Sequence, residues 1–91
     1  MINFKVYRTK RDRLQLKRLC VNMLGGKCID CGYCAHLAAL DFDHVNFKTK
    51  ITTVSHMLNT YPWYMIQLEV AKCVLRCANC HRIKTNPQAT N

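Results

Sequence analysis

The sequence predicts a single small α+β domain, and three observations support this prediction. The chain has 91 residues, which suffice for one apolar core but not for two. Apolar residues recur at helical spacing near the beginning and in the second half, and a stretch of alternating apolar and polar residues lies between them. Two Cys-x-x-Cys pairs offer a structural metal site, which a domain of this size needs beside its apolar core.

Composition and charge indicate a folded protein with a polyanionic partner. Hydrophobic residues make up 49% of the chain, which is too many for a basic disordered tail. Fourteen Lys and Arg against five Asp and Glu give a formal charge of +9, so nucleic acid is the best-fitting partner. No apolar run approaches the roughly 18 residues of a membrane span, and the charged start does not resemble a signal peptide. We therefore expect no membrane association and an intracellular location, cytoplasmic or nuclear.

The first predicted element is a basic amphipathic helix over about residues 9–24. Leu16, Cys20 and Leu24 recur at helical spacing and form its apolar stripe, and Gly25 would end it. Its cations are predicted to contact nucleic-acid phosphates; the alternative is a solvated basic face that only aids solubility. The four predicted contacts are Arg11, Arg13, Lys17 and Arg18.

A cysteine-rich turn and a strand are predicted next. Residues 27–39 carry closely spaced cysteines and a glycine, which is typical of a metal knuckle. Residues 40–47 alternate apolar and polar positions, which favours a strand, and the polar neighbours Asp43 and His44 lie within it. The polar connection over 48–55 could hold a second short strand around residues 51–54.

Two further helices are predicted in the second half. Pro62 suits the first turn of one helix. The final helix would run over residues 77–85 and end at Asn86-Pro87. The buried stripe of the first of these helices would comprise Trp63, Ile66, Val70 and, at its end, Cys73.

The cysteine pairs predict one structural zinc ion. Two intervening residues let both sulfurs of a pair reach one point at about 2.3 Å from Zn²⁺. A thioredoxin-like redox role for either pair is weaker, because the surrounding order of elements does not fit. Cys34 or His36 could replace a ligand, with less support than the paired set. The predicted ligands are Cys28, Cys31, Cys77 and Cys80.

Four segments of the chain occur in a specific order. They are Cys28-x-x-Cys31-Gly32, Leu40-Asp41-Phe42-Asp43-His44, Glu69-Val70-Ala71-Lys72-Cys73-Val74-Leu75 and Cys77-x-x-Cys80-His81-Arg82-x-Lys84-Thr85. In this order they resemble the HNH nuclease superfamily, whose core is the ββα-metal or His-Me finger, and the basic helix is similar to the leader of small phage-type and viral members. The resemblance implies one HNH nuclease domain over residues 1–91, with the zinc knuckle and the ββα core over 28–86 and an additional helix.

The resemblance also implies residue roles. Asp43 and His81 would hold a catalytic Mg²⁺ or Mn²⁺ ion, and His44 would be the general base that takes a proton from water. Arg82 and Lys84 would contact phosphate. Because adjacent residues of a regular strand point to opposite faces, Asp43 and His44 can reach one phosphate only if the strand ends, bends or bulges there.

One position departs from the family pattern. The family's middle Asn usually precedes the second knuckle and braces the catalytic His, whereas this chain has Lys72-Cys73 there. Asn79, inside the knuckle, is the nearest substitute for that bracing role, or it simply shapes the metal-binding turn.

Two functions are the main candidates from the sequence, and a cysteine-based redox sensor, which Cys20, Cys34 and Cys73 would permit but do not require, is a third with less support. The first is a metal-dependent endonuclease that hydrolyses DNA phosphodiester bonds, and the second is a zinc-bound nucleic-acid-binding module without chemistry. Asp43, His44 and His81 favour the nuclease, because a binding module has no need of a metal ligand beside a base. With no second specificity domain, recognition would be loose or supplied by an accessory protein or a homodimer. A viral member would act in the host cell.

Overall fold

The computed structural model of the chain describes residues 6–87 and confirms a small α+β architecture. Four α-helices and one two-stranded sheet organise these residues. The α-helices are α1 (Lys10–Met23), α2 (Val54–Thr60), α3 (Trp63–Val70) and α4 (Ala78–Thr85). The strands are β1 (Leu40–His44) and β2 (Cys73–Cys77), and short 3-10 helices span Leu37–Ala39 and Phe47–Thr49.

Local capping determines where α1 begins and ends. The Thr9 hydroxyl accepts from the Asp12 amide at 3.1 Å, and the Asp12 carboxylate accepts from the Thr9 amide at 3.0 Å. This reciprocal pair satisfies two amides that the first helical turn leaves free. Gly25 and Gly26 follow the helix at φ of 94° and 76°, a conformation that ends it at little cost for glycine. The predicted helix over about 9–24 is thus confirmed.

The sheet pairs β1 with β2 in an antiparallel register from Leu40 opposite Cys77 to His44 opposite Cys73. The predicted strand over 40–47 is therefore shorter than expected. The strand predicted around residues 51–54 is wrong, because that stretch instead leads into α2, whose first turn is capped by the Thr53 hydroxyl. The strand partner comes from Cys73–Cys77, whose alternating burial matches that of a sheet with one covered face.

The helices α2 and α3 lie between the two strands in the chain. Pro62 is the N-cap residue of α3, as its fixed φ suits. The buried stripe of α3 includes Ile66, Glu69 and Val70, but Cys73 belongs to β2 because a turn at Ala71-Lys72 ends the helix first. The final helix is confirmed as α4, with Cys77 as its N-cap and Asn86 as its C-cap.

Two apolar clusters hold these elements together. One joins α1, α2 and α3 through buried residues such as Cys20, Met57 and Ile66. The other joins the sheet to the cysteine turn through Leu40 and Leu75. The sheet face that carries His44 is covered and contacts α3 through Glu69, whereas the face that carries Asp43 contacts α4 through Lys84. None of the described helices is long and apolar enough to cross a membrane.

Candidate functional site

Four cysteines converge where the cysteine-rich turn meets the start of α4. The sulfur atoms of Cys28, Cys31, Cys77 and Cys80 all lie within 4.8 Å of one another. The sulfurs of Cys31 and Cys77 are 3.7 Å apart. Sulfurs bound at about 2.3 Å around a tetrahedral Zn²⁺ would be separated by about 3.8 Å. The cluster therefore fits a metal ion such as zinc, and it is composed of the four predicted ligands.

The surroundings of this cluster favour ionisation of the Cys28 thiol and oppose ionisation of the Cys80 thiol. Burial alone would raise the pKa of Cys28, but hydrogen bonds from backbone amides at Cys77 and Cys31 lower that pKa to about 6. Contacts with Cys77 and Cys31 raise the pKa of the Cys80 thiol. Four thiolates this close repel one another, and a bound divalent cation removes that repulsion.

The other cysteines and His36 lie outside the cluster. Among the described residues, the donor atoms that converge do not include those of Cys34 or His36, so neither replaces a ligand. The His36 Nδ1 atom instead accepts from the amide of Ala38. Cys20 and Cys73 are buried, and burial raises the pKa of both thiols to about 11. These two thiols behave as apolar core groups, as expected for residues on apolar stripes.

Asp43 lies on the sheet face that packs against α4 and is surrounded by cations. Its Oδ2 atom accepts from Arg76 at 2.6 Å and from Lys84 at 2.7 Å. Burial alone would raise the pKa of Asp43, but these two hydrogen bonds outweigh it and lower the pKa below its usual range. The other carboxylate oxygen, Oδ1, is not part of these bonds and faces His81.

His81 extends from α4 between two carboxylates of β1. Its Nδ1 atom lies 3.1 Å from Oδ2 of Asp41, and its Nε2 atom lies 3.8 Å from Oδ1 of Asp43. A carboxylate accepts but does not donate, so the Nδ1 atom of His81 carries a hydrogen toward Asp41. In the neutral ring Nε2 then carries the lone pair, at 3.8 Å from Oδ1 of Asp43. A surface depression lined by Asp41, His81, Arg82 and Thr85 adjoins this pair.

His44 lies on the opposite, covered face of the sheet. Its Nε2 atom is 2.7 Å from Oε2 of Glu69 on α3, and both side chains are almost fully buried. Glu69 also accepts from the Ile51 amide at 3.0 Å and from the Lys72 ammonium at 2.9 Å. Burial alone would raise the pKa of Glu69, but the bonds from Lys72, Ile51 and His44 lower it. The ionised carboxylate requires hydrogen on Nε2 of His44, so Nδ1 carries the lone pair of the neutral ring.

The predicted catalytic residues therefore divide between two faces of the sheet. β1 continues without a bulge through His44, and the Val45 amide still donates to the Lys72 carbonyl at 3.0 Å. β1 ends at His44, as one of the expected alternatives, but its pairing stays regular through Asp43 and His44. The two side chains therefore keep opposite faces, and Asp43 approaches His81 while His44 points away from them. Both residues nevertheless lie at the last two positions of β1.

Asn79 does not take the bracing position. Its side chain is exposed in the first turn of α4 and makes no hydrogen bond within residues 6–87. The group that holds His44 is Glu69, which sequence reasoning did not assign a role. An acidic residue three positions after Ile66, on the apolar stripe of a helix, is the signal that could have identified it. Asp41 was missed likewise, although it shares a strand face with Asp43.

The predicted phosphate contacts differ in exposure. Arg11 and Arg18 are exposed on α1, whereas Arg13 and Lys17 are half-buried and the Arg13 guanidinium donates to the Arg8 carbonyl. Arg82 and Lys84 are both exposed on α4.

Comparison of the chain with known proteins identified no relative. No protein-family model, no curated protein and no solved structure matches the chain.

Proposed function

We propose that this protein is a metal-dependent endonuclease that hydrolyses DNA phosphodiester bonds and is stabilised by zinc in its cysteine cluster. The observation that carries the proposal is the approach of His81 Nε2 to Asp43 Oδ1 at 3.8 Å. Each of these two donor groups is oriented through its other polar atom. The Asp41 carboxylate accepts from Nδ1 of His81. Arg76 and Lys84 both donate to Oδ2 of Asp43.

This pair offers one carboxylate oxygen and one imidazole nitrogen to a divalent cation. Neighbouring ligands of an octahedral Mg²⁺ lie about 3 Å apart. His81 Nε2 and Asp43 Oδ1, which are 3.8 Å apart, would therefore move closer by about 0.8 Å to hold one ion. A metal-binding imidazole commonly donates its other nitrogen to a carboxylate, as His81 does to Asp41. When bound, Mg²⁺ or Mn²⁺ would stabilise the negative charge that develops on the scissile phosphate.

His44 supplies the proton acceptor in this proposal. Glu69 holds the ring through Nε2, which leaves Nδ1 to accept a proton from the attacking water and leaves the carboxylate to stabilise the imidazolium that forms. Nδ1 has no hydrogen-bond partner within residues 6–87, and the His44 side chain is 5% exposed, so water would have to reach Nδ1 through this small exposed part. The scissile phosphate would lie beyond the end of β1, where Asp43 and His44 are the last two residues.

The cations of α4 and β2 would bind the same phosphate. Lys84 is exposed, and both it and Arg76 already approach the Asp43 carboxylate. A substrate phosphate beside Asp43 could accept from these donors in addition to the carboxylate. Arg82, at the rim of the depression beside His81, would contact a neighbouring phosphate.

A zinc-bound nucleic-acid-binding module without chemistry is the second candidate. One observation favours it: His44 and Asp43 point to opposite faces, and His44 forms a buried ion-pair geometry with Glu69 that would also serve a purely structural purpose. The basic surfaces and the cysteine cluster are expected for both candidate functions and do not distinguish them.

Cleavage of supercoiled plasmid separates the two candidates. Zinc-loaded protein is incubated with plasmid without added ion, with Mg²⁺ and with Mn²⁺, and Asp43→Asn is tested beside it. Asp30→Asn is the matched control, because it removes a carboxylate that contacts the same Arg76 but lies away from His81. Ion-dependent nicking that Asp43→Asn loses and Asp30→Asn retains supports the nuclease. Absence of nicking under all of these conditions, with plasmid binding retained, would reject the nuclease and support the binding module.

A further inference from the structure

The loop of residues 45–51, directly after β1, presents apolar and basic side chains to solvent. Val45, Phe47 and Ile51 are 71%, 77% and 67% exposed. Lys48 and Lys50 are exposed between them, and the loop contains no acidic residue. Phe47 is the only aromatic residue of this loop. A large apolar ring with so much exposed surface, set among cations, is a feature of contact surfaces.

Hydrogen bonds hold this loop in one conformation. The Asn46 side chain accepts from the Lys48 amide at 3.0 Å and caps the 3-10 helix Phe47–Thr49. The Lys72 ammonium donates to the Thr49 carbonyl at 2.8 Å, and the Ile51 amide donates to Glu69 at 3.0 Å. The ring of Phe47 is therefore displayed on an ordered support, and little ordering entropy would be lost when it binds a ligand.

We propose that the 45–51 loop binds an unpaired stretch of DNA, with Phe47 stacked on a base and Lys48 and Lys50 on the flanking phosphates. An aromatic ring between cations matches the two features of a single strand, which offers base faces and phosphate charges side by side. In a duplex, neighbouring pairs cover those base faces. This inference depends on the proposed function only in taking DNA as the partner, and it does not require hydrolysis.

The loop is connected to the candidate catalytic residue through one carboxylate. Oε2 of Glu69 accepts from both His44 and Ile51, and Lys72 bonds both Glu69 and Thr49. The loop and the imidazole therefore share a fixed relative position. A strand whose base stacks on Phe47 would pass the end of β1, so the unpaired stretch would lie beside the phosphate that the nuclease is proposed to cleave.

The test is DNA binding by zinc-loaded protein without added Mg²⁺ or Mn²⁺, measured as fluorescence anisotropy of a labelled single-stranded oligothymidine. Phe47→Ala should weaken binding about five- to a hundredfold, the range for loss of one stacked base. Phe47→Trp should preserve affinity, and its fluorescence should be quenched by the oligonucleotide beyond any change from Trp63 in the unmodified protein. Lys48→Gln and Lys50→Gln should each lower the salt dependence of binding by about 0.7 in slope.

Tyr64→Ala is the matched control, because Tyr64 is an exposed aromatic residue in an uncharged stretch of α3 and should not contribute. Unchanged affinity of Phe47→Ala together with no quenching of Phe47→Trp would overturn the inference. An equal effect of Phe47→Ala on a blunt duplex of the same length would also overturn it. Phe47-dependent binding by a protein that never cleaves DNA would reject the nuclease and keep this inference, whereas full cleavage with Phe47-independent binding would reject this inference alone.

Discussion

The imidazole of His44 and the carboxylate of Glu69 meet across 2.7 Å in the interior of the protein, and this contact joins β1 to α3. A buried carboxylate is stable only when its oxygens are satisfied, and here the Ile51 amide and the Lys72 ammonium complete the set. The same contact selects which nitrogen of His44 is free to act as a base. Structure and proposed chemistry therefore depend on one side chain.

Glu69→Gln should lower both stability and cleavage. Gln keeps the size of the side chain but not the charge that pairs with Lys72 and orients His44, so we expect a loss of about 1–3 kcal/mol in the free energy of unfolding. The cleavage rate at saturating DNA should fall because Glu69 holds His44. Affinity for DNA is a separate readout, because Glu69 also holds the 45–51 loop through the Ile51 amide. Denaturant unfolding and a comparison of kcat with KM measure the two effects.

The control for this substitution is Asp30→Asn, which removes a half-exposed carboxylate paired with Arg76. Surface pairs contribute about 0–1 kcal/mol, so its stability should remain close to that of the unmodified protein. A Glu69→Gln protein with unchanged kcat would show that the contact is structural only.

The zinc prediction concerns content and folding together. Replacement of Cys28 by Ser removes a buried ligand of the cluster, and we expect loss of bound zinc and of the folded state, because structural zinc binding of roughly 10–16 kcal/mol is folding energy in small domains. Cys34→Ser should retain both, since Cys34 lies outside the cluster. Elemental analysis and circular dichroism report the outcome, and a folded protein without any metal would contradict the prediction.

The parts of the fold that were predicted correctly are those with local causes. The reciprocal cap of Thr9 and Asp12, the glycines after α1 and the spacing of each cysteine pair all act within a few residues. The position of β2 has no such local cause. The stretches of residues 51–54 and Cys73–Cys77 are both rich in β-branched or apolar residues, and the second becomes a strand through its pairing with β1.

The candidate site was predictable in its residue types but not in its arrangement. Asp43 and His81 were expected together, and they approach each other because α4 packs on the face of β1 that carries Asp43. The pairing of His44 with Glu69 joins residues 25 positions apart through the packing of α3, which no short motif encodes. The regular ladder at the end of β1 likewise depends on β2 and not on the local sequence.

The basic helix α1 yields a prediction on DNA binding. Arg11 and Arg18 are its two exposed predicted contacts, and reversing both to Glu should weaken DNA affinity and lower the slope of log K against log salt by about 0.9 for each lost phosphate contact. Gln15→Glu is the control, because it adds a negative charge to the same exposed helix without removing a cation. Equal slopes for the unmodified and doubly reversed proteins would place α1 away from the DNA.

The two histidines proposed for catalysis should fail in different ways when replaced. His44→Ala removes the proton acceptor, so we expect cleavage to fall by about 10²- to 10⁴-fold at every Mg²⁺ or Mn²⁺ concentration, with zinc content unchanged. His81→Ala removes a ligand and leaves the base, so higher ion concentrations should restore part of its activity. Because His56 is an exposed histidine on α2, His56→Ala should cleave like the unmodified protein.

Because Ala at position 44 also leaves Glu69 without one donor, His44→Gln is tested in parallel. The Gln side chain can still donate to the carboxylate but cannot accept the proton, so this variant should fold normally and remain inactive. Plasmid cleavage by His44→Gln at the unmodified rate would remove His44 from the mechanism, and an ion dependence unaltered by His81→Ala would remove His81 from the divalent-ion site.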